Sequence, residues 1–272
     1  MKNIIHACLG LFLLGLFFGC GGGGGDDSPS VPGGMVLIPD GTNSGADPDF
    51  GVYSITVDSF YMDSTEVTKA QWDEVYGWAI NNGYIFDNSG LGKASNHPVQ
   101  NVDWYDCVIW CNARSEMDGR TPCYNLSDWS CNTSENGYRL PSSVEWEYAA
   151  RGGLRSKRFP WGDTVTHNQA NYRHNGNYGY DISDTGGYHP DYNDGEEPYT
   201  SPVGSFEPNG YGLYDMSGNV YEWCNNSSSD GSHRCFRSGS WWCYADHLRC
   251  GRENWNTPTC NYRHTGFRSV CR

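Results

Sequence analysis

Asp215 and Glu222 stand on either side of a tight Ser217-Gly218-Asn219 turn within the stretch Gly210–Trp223. Two carboxylates flanking a glycine turn can converge on one point while the turn carbonyls fill further positions. Such an all-oxygen set suits a hard cation, calcium above all. The same spacing fits a plain hairpin turn with solvated acids, and the residues alone leave both readings open. The eight histidines form no His-x-x-x-His or His-x-His arrangement, which argues against an iron centre and suits surface or hydrogen-bonding roles. A Gly-x-Ser-x-Gly elbow, a His-Glu-x-x-His motif and a Walker loop are likewise missing from the sequence, so the familiar hydrolase and nucleotide-binding chemistries have no anchor here.

A turn of this kind needs a frame to hold it. Thr68 and Gln71 match a capping box for a helix that runs to about Ile80 and ends at Asn82-Gly83. Asp103 caps a second helix, where Trp104, Val108 and Cys111 recur at three- and four-residue spacing and define one apolar face. Ser142 and Glu145 repeat the box for a third helix that stops at Gly152. Met35–Ile38 and Ile55–Tyr61 have the β-branched and aromatic content of strands, with a turn-rich stretch from Asp40 to Gly51 between them. Beyond Gly153 periodicity fades into turns such as Asn175-Gly176 and Asp194-Gly195, although the interspersed Tyr and Trp favour order. The expected class is α+β, with three short helices and little other regular structure.

The chain carries 32 acidic and 18 basic side chains for a formal charge of −14, which argues against a nucleic-acid partner because phosphates require a basic face. Its 35 glycines, 13 prolines and 15% aromatics predict an aromatic core wrapped in loops. Lys2 precedes an apolar run from about Cys8 to Phe18, and Gly19-Cys20 is followed by five glycines. Residues 1–20 read as a lipoprotein signal peptide, with Cys20 acylated and residues 21–33 as a flexible tether, the alternative being a plain secretory leader cleaved nearby. The apolar run is too short for a permanent transmembrane helix. Membrane contact is therefore expected through the N-terminal lipid only, at a bacterial cell envelope, on the periplasmic or the exposed side. Residues 34–272 show no second linker or internal repeat and are expected to form one domain. Export permits disulfides, and the ten cysteines from Cys107 to Cys271 allow up to five, with local pairs such as Cys123–Cys131 or Cys224–Cys235. No Cys-x-x-Cys pair suggests a zinc ribbon or a thioredoxin-like site.

Further landmarks stand in order along the chain: Tyr138–Gly153, Phe159-Pro-Trp-Gly162, Arg237-Ser-Gly-Ser-Trp241 and Gly266-Phe-Arg268. Together with Gly210–Trp223 they resemble the formylglycine-generating, sulfatase-modifying-factor family, from about Gly34 to Arg272. The resemblance implies a C-type-lectin-like fold and two calcium sites. One would use Asn171, the Tyr172 carbonyl, Asp194 and the Glu196 carbonyl, with Asp191 or Asn193 as substitutes for Asp194. The other would use the Asp215 and Glu222 side chains with the Gly218 and Val220 carbonyls. It also implies a bridge between Cys111 and Cys271.

Active aerobic members of that family oxidise a substrate cysteine, as in sulfatases, to formylglycine with molecular oxygen and copper(I) held by two thiolates, soft ligands suited to that ion. The resemblance makes Cys243 the expected ligand and nucleophile, and Ser240 the neighbour that orients substrate or oxygen. The second thiolate is out of place. Leu248 stands near its position, and Cys250, further on, is either a displaced copper ligand or the disulfide partner of Cys243. Tyr221 also replaces a tryptophan usual in the active enzymes. A rival expectation is a binding protein. Gly239, Trp241, Leu248 and Arg268 keep the family frame, while Trp242, Tyr244, His247, Trp255 and Tyr262 between them have the aromatic and polar character of a binding surface. The segment looks like the variable region of retroelement-diversified lectin-fold display proteins, unless its aromatics are simply core. A protein or peptide ligand in a C-terminal groove is the expected partner, and copper is required only if the chain is an oxidase.

Overall fold

The computed structural model describes residues 33–272; the leader, the lipidation site Cys20 and nearly all of the tether lie outside the described residues. Helices α1 (Lys69–Asn81), α2 (Trp104–Met117) and α3 (Ser143–Arg151) start where the capping residues predict. In each, the cap side chain accepts from the backbone of the third helical residue, whose own side chain reaches back to the cap amide. The pairs are Thr68 with Gln71, Asp103 with Asp106 and Ser142 with Glu145. This reciprocal bonding satisfies two amides that a helix start leaves without partners. Gly152 closes α3 at φ 53°, and a Cβ there would lie 2.8 Å from the Gly210 nitrogen, so glycine is required by conformation and by space alike.

Strands β1 (Met35–Ile38), β4 (Phe60–Asp63) and β11 (Val270–Cys271) form an antiparallel sheet that joins the first strand of the domain to its last. Between them, β2 (Gly41–Asp47) and β3 (Gly51–Val57) form a hairpin. This departs from the sequence expectation twice: the turn-rich stretch is largely strand β2, and the single strand expected over Ile55–Tyr61 breaks at Asp58-Ser59. The reason lies outside the hairpin. β2 has poor β propensity, yet its buried Asn43 donates to the Leu154 carbonyl at 2.9 Å and accepts from Tyr53, and its buried Asp47 pairs with Arg151 at 2.9 Å. Strands β5 (Tyr124–Asn125) and β6 (Ser130–Cys131) make a small ladder. Antiparallel β7 (Tyr221–Ser227), β8 (Arg234–Arg237) and β9 (Asn254–Asn256) are joined on the β7 side by parallel β10 (Thr265–Gly266). Residues 152–220 hold only turns and isolated bridges, as the fading periodicity predicts.

Aromatic burial holds this irregular chain together. Trp72, Trp104, Trp110, Trp146, Trp223 and Trp241 are fully buried, and each indole N–H finds an acceptor: the carbonyls of Ser89, Cys224, Trp72, Val102 and Arg263, and for Trp146 the Glu222 carboxylate. Large apolar area is thus buried without leaving a donor unpaired. Two apolar clusters result, one around Trp72, Trp110, Trp223 and Phe267, the other around Trp146, Tyr148, Leu213 and Met216. All ten cysteines from Cys107 to Cys271 are free, and the Cys111–Cys271 bridge expected from the resemblance is not formed, the Cys271 thiol lying 3.6 Å from the Met35 sulfur. The local Cys123–Cys131 and Cys224–Cys235 bridges are not formed either. Among the described residues, no helix is long and apolar enough to cross a membrane.

Candidate functional site

The first residue of β7, Tyr221, meets the segment that follows β8. The Cys243 thiol donates to the Tyr221 hydroxyl at 3.0 Å, and that hydroxyl lies 2.7 Å from His247 Nδ1. Ser240 Oγ is 3.2 Å from the same sulfur. Burial holds the His247 pKa below its usual value, which favours the neutral ring, and with the thiol donating to it the Tyr221 hydroxyl has its own proton to direct at Nδ1. Burial raises the Cys243 pKa, with the Ser240 and Tyr221 contacts pulling the other way, and the thiol keeps its proton at neutral pH. The result is a directed chain of hydrogen bonds, Cys243 to Tyr221 to His247. Tyr221 thus fills the place of the expected tryptophan with a polar partner for the thiol.

Cys250 is elsewhere. It belongs to the second apolar cluster, whereas Cys243 belongs to the first. Its amide donates to the Arg158 carbonyl, and burial raises its pKa to about 12 beside Arg151, Glu147 and Asp47. The two thiols are not bonded to each other and pack in different apolar clusters, an arrangement that does not favour a two-thiolate copper centre.

The two expected calcium loops differ. At the first, a lysine stands in the way of a metal: Lys93 Nζ lies 2.6 Å from Asp194 Oδ2 and donates to the Glu196 carbonyl at 3.2 Å. His167 Nε2 meets the Tyr172 carbonyl at 3.2 Å, leaving only Asn171 Oδ1 buried and uncommitted. This set does not fit a second cation. At the other loop, Glu222 is saturated by a bidentate pair with Arg268, 2.8 Å on each oxygen, and by Trp146 Nε1 at 2.6 Å. The Gly218 carbonyl accepts from Ser238. Asp215 accepts from the Gly204 amide through Oδ2, but its Oδ1 is buried without a partner, as are both oxygens of fully buried Glu66. Burial and the neighbouring Asp215 charge drive the Glu66 pKa well up, and burial pushes Asp215 up to about 6. With one guanidinium facing three carboxyl groups, ionisation of all three would leave negative charge uncompensated. The acceptors left uncommitted at this loop are therefore three oxygens of Glu66 and Asp215, not the expected Asp215–Glu222 pair.

The remaining expected residues divide into frame and face. Gly239, Trp241, Leu248 and Arg268 are buried, while Trp242, Trp255 and Tyr262 are 44%, 40% and 50% exposed, and Tyr244 and His247 are half-buried. Tyr262 stacks on His264, centroids 5.1 Å apart, and Trp242 tilts against Tyr188 at 6.0 Å. Arg173 lies over both Tyr188 and Tyr244, and its amide donates to the Cys243 carbonyl. Glu66, Lys93, Arg173 and Tyr188 escape the sequence reading because none belongs to a spaced motif; only tertiary placement brings them to these sites.

An α+β scaffold of the C-type-lectin-like class is what these elements define. The family model described as a sulfatase-modifying factor enzyme 1-like domain matches residues 26–272, and the chain belongs to that family. It is 30% identical to the chaperone protein LppX of Paenibacillus barcinonensis, over 76% of this chain and 78% of that protein. Similarity to the formylglycine-generating enzyme of Thermomonospora curvata is 29% identity over 86% of this chain and 92% of that one. Among solved structures, Treponema denticola variable protein 1 superposes with a TM-score of 0.67 at 26% identity, covering 88% of this chain and 94% of its own.

Proposed function

We propose that this chain is an exported, lipid-anchored binding member of the sulfatase-modifying factor family, whose C-terminal face takes a protein or peptide ligand, and that it is not a copper oxidase. The observation that carries the reading is the split between frame and face. The family-pattern residues Gly239, Trp241, Leu248 and Arg268 are buried, while the aromatic residues between them, Trp242, Trp255 and Tyr262, are exposed. Exposed tryptophan and tyrosine offer large contact area at small entropic loss, the usual composition of a recognition surface. Separation of Cys243 from Cys250 supports the second half of the proposal, and likeness to the Treponema variable protein supports a display role.

Calcium is part of this reading at one loop only. Glu66 and Asp215 would hold the ion, whose positive charge would let both buried carboxyls ionise, and its role would be structural.

The test uses the whole chain on an array of synthetic random dodecamers. Selected peptides are expected to lose at least about tenfold in affinity, roughly 1.4 kcal/mol, on the Trp242→Ala and Trp255→Ala variants. A parallel copper(I) titration is expected to show no tight complex that depends on two thiols. Tight binding of one copper(I) that is lost in both Cys243→Ser and Cys250→Ser would restore the oxidase reading, with Cys243 as nucleophile beside Ser240.

A further inference from the structure

Resting on the ligand face proposed above, we infer that its ligand carries a carboxylate, which docks on Arg173. The guanidinium carbon lies 5.1 Å from the Tyr188 ring centroid and 5.3 Å from that of Tyr244. Two aromatic rings therefore flank it at cation–π distance. Its backbone is tied to the same surface, because the Arg173 amide donates to the Cys243 carbonyl at 2.8 Å. Tyr188 in turn contacts both Trp241 and exposed Trp242. Among the described residues, the Arg173 side chain donates no hydrogen bond and has no carboxylate within 4.0 Å. Glu197, the acid that shares its surroundings at Tyr188, faces Arg263 at 3.7 Å instead. The buried arginines Arg114, Arg139, Arg151, Arg237 and Arg268, by contrast, are each matched to an acid.

In a chain of net charge −14, an ordered arginine with its donors unspent on the proposed face is a complementary charge held for something else. The planar fork presents paired N–H groups, and a carboxylate is the group that accepts two of them in parallel. Ordering by Tyr188 and Tyr244 reduces the entropy lost on docking.

The carboxylate can belong to an Asp or Glu side chain or to a peptide C-terminus, and the experiment separates the two. Dodecamers selected on the full chain are synthesised with free and with amidated C-termini, and with Asp and Glu changed to Asn and Gln. Their affinities are measured calorimetrically on the wild type, Arg173→Gln, Arg173→Lys, Trp242→Ala and, as a charge control at an exposed arginine, Arg155→Gln. Acidic or free-acid peptides are expected to weaken about tenfold or more on Arg173→Gln, less on Arg173→Lys, and less than about twofold on Arg155→Gln. Amidation that abolishes the Arg173 effect assigns the carboxylate to the terminus; Asn and Gln replacement that abolishes it assigns it to a side chain. Peptides that need Trp242 but bind Arg173→Gln unchanged overturn this inference and leave the face intact. If Trp242→Ala binds unchanged, or no peptide is selected, the face itself fails and the inference with it. An unchanged melting temperature in Arg173→Gln verifies that folding is not the cause.

Discussion

Arg268 is the residue on which the interior electrostatics turn. Its guanidinium pairs bidentately with Glu222 and donates to the carbonyls of Asp63, Ser64 and Tyr214, all from a fully buried position. Removing one partner of a buried pair leaves an uncompensated charge, so Arg268→Met is expected to destabilise the fold by about 3–5 kcal/mol, read from urea denaturation. The effect should be eased by adding Glu222→Gln, whereas simple additivity of the two changes would speak against the pairing. His264 gives a pH signature. Burial lowers its pKa from 6.5 to about 4, so the folded state keeps it neutral while the unfolded chain takes up a proton. Its contribution is present above pH 6.5 and is lost as pH falls toward 4. Melting temperature should decline over that window, and His264→Phe should flatten the decline. At this scale the sequence shows which acids flank the Gly218 turn, Asp215 and Glu222, but not their partners. Glu66 and Arg268 arrive from opposite ends of the domain, and no spacing rule links them.

Helices are the elements most open to reading, because their signals are local. Each start is written in a four-residue cap, and each cap is found bonded as expected. Ser142→Ala should lower stability by about 1 kcal/mol, measurable as a shift in the urea midpoint at unchanged slope. Glu145 keeps its pairing with Arg139 at 2.7 Å, so α3 should frame the site as before. Strand β2 is the counterexample. Its Gly-Thr-Asn-Ser-Gly-Ala-Asp sequence lacks a β pattern, and what makes it a strand is a set of partners, Leu154, Tyr53 and Arg151, supplied by distant residues. Cys250 illustrates the same limit, since its packing in a different apolar cluster from Cys243 cannot be read from the spacing.

The whole domain stays ordered across its long irregular middle by aromatic burial and matched charges. A calcium ion at Glu66 and Asp215 would add to this by binding the folded state alone, about 2.7 kcal/mol at a hundredfold excess over its dissociation constant. Differential scanning calorimetry at neutral pH should show a calcium-dependent rise in melting temperature that EDTA reverses and Glu66→Gln removes; an equal rise in Glu66→Gln would place the ion elsewhere. Lys93 has a different consequence. By lodging its ammonium between Asp194 and the Glu196 carbonyl, the chain carries its own counter-ion for that loop, covalently attached and beyond the reach of any chelator. Because the Asp194 side chain is 52% exposed, the clasp answers to ionic strength instead. In surroundings poor in divalent metals but dilute in salt, this part of the fold would hold its shape unaided.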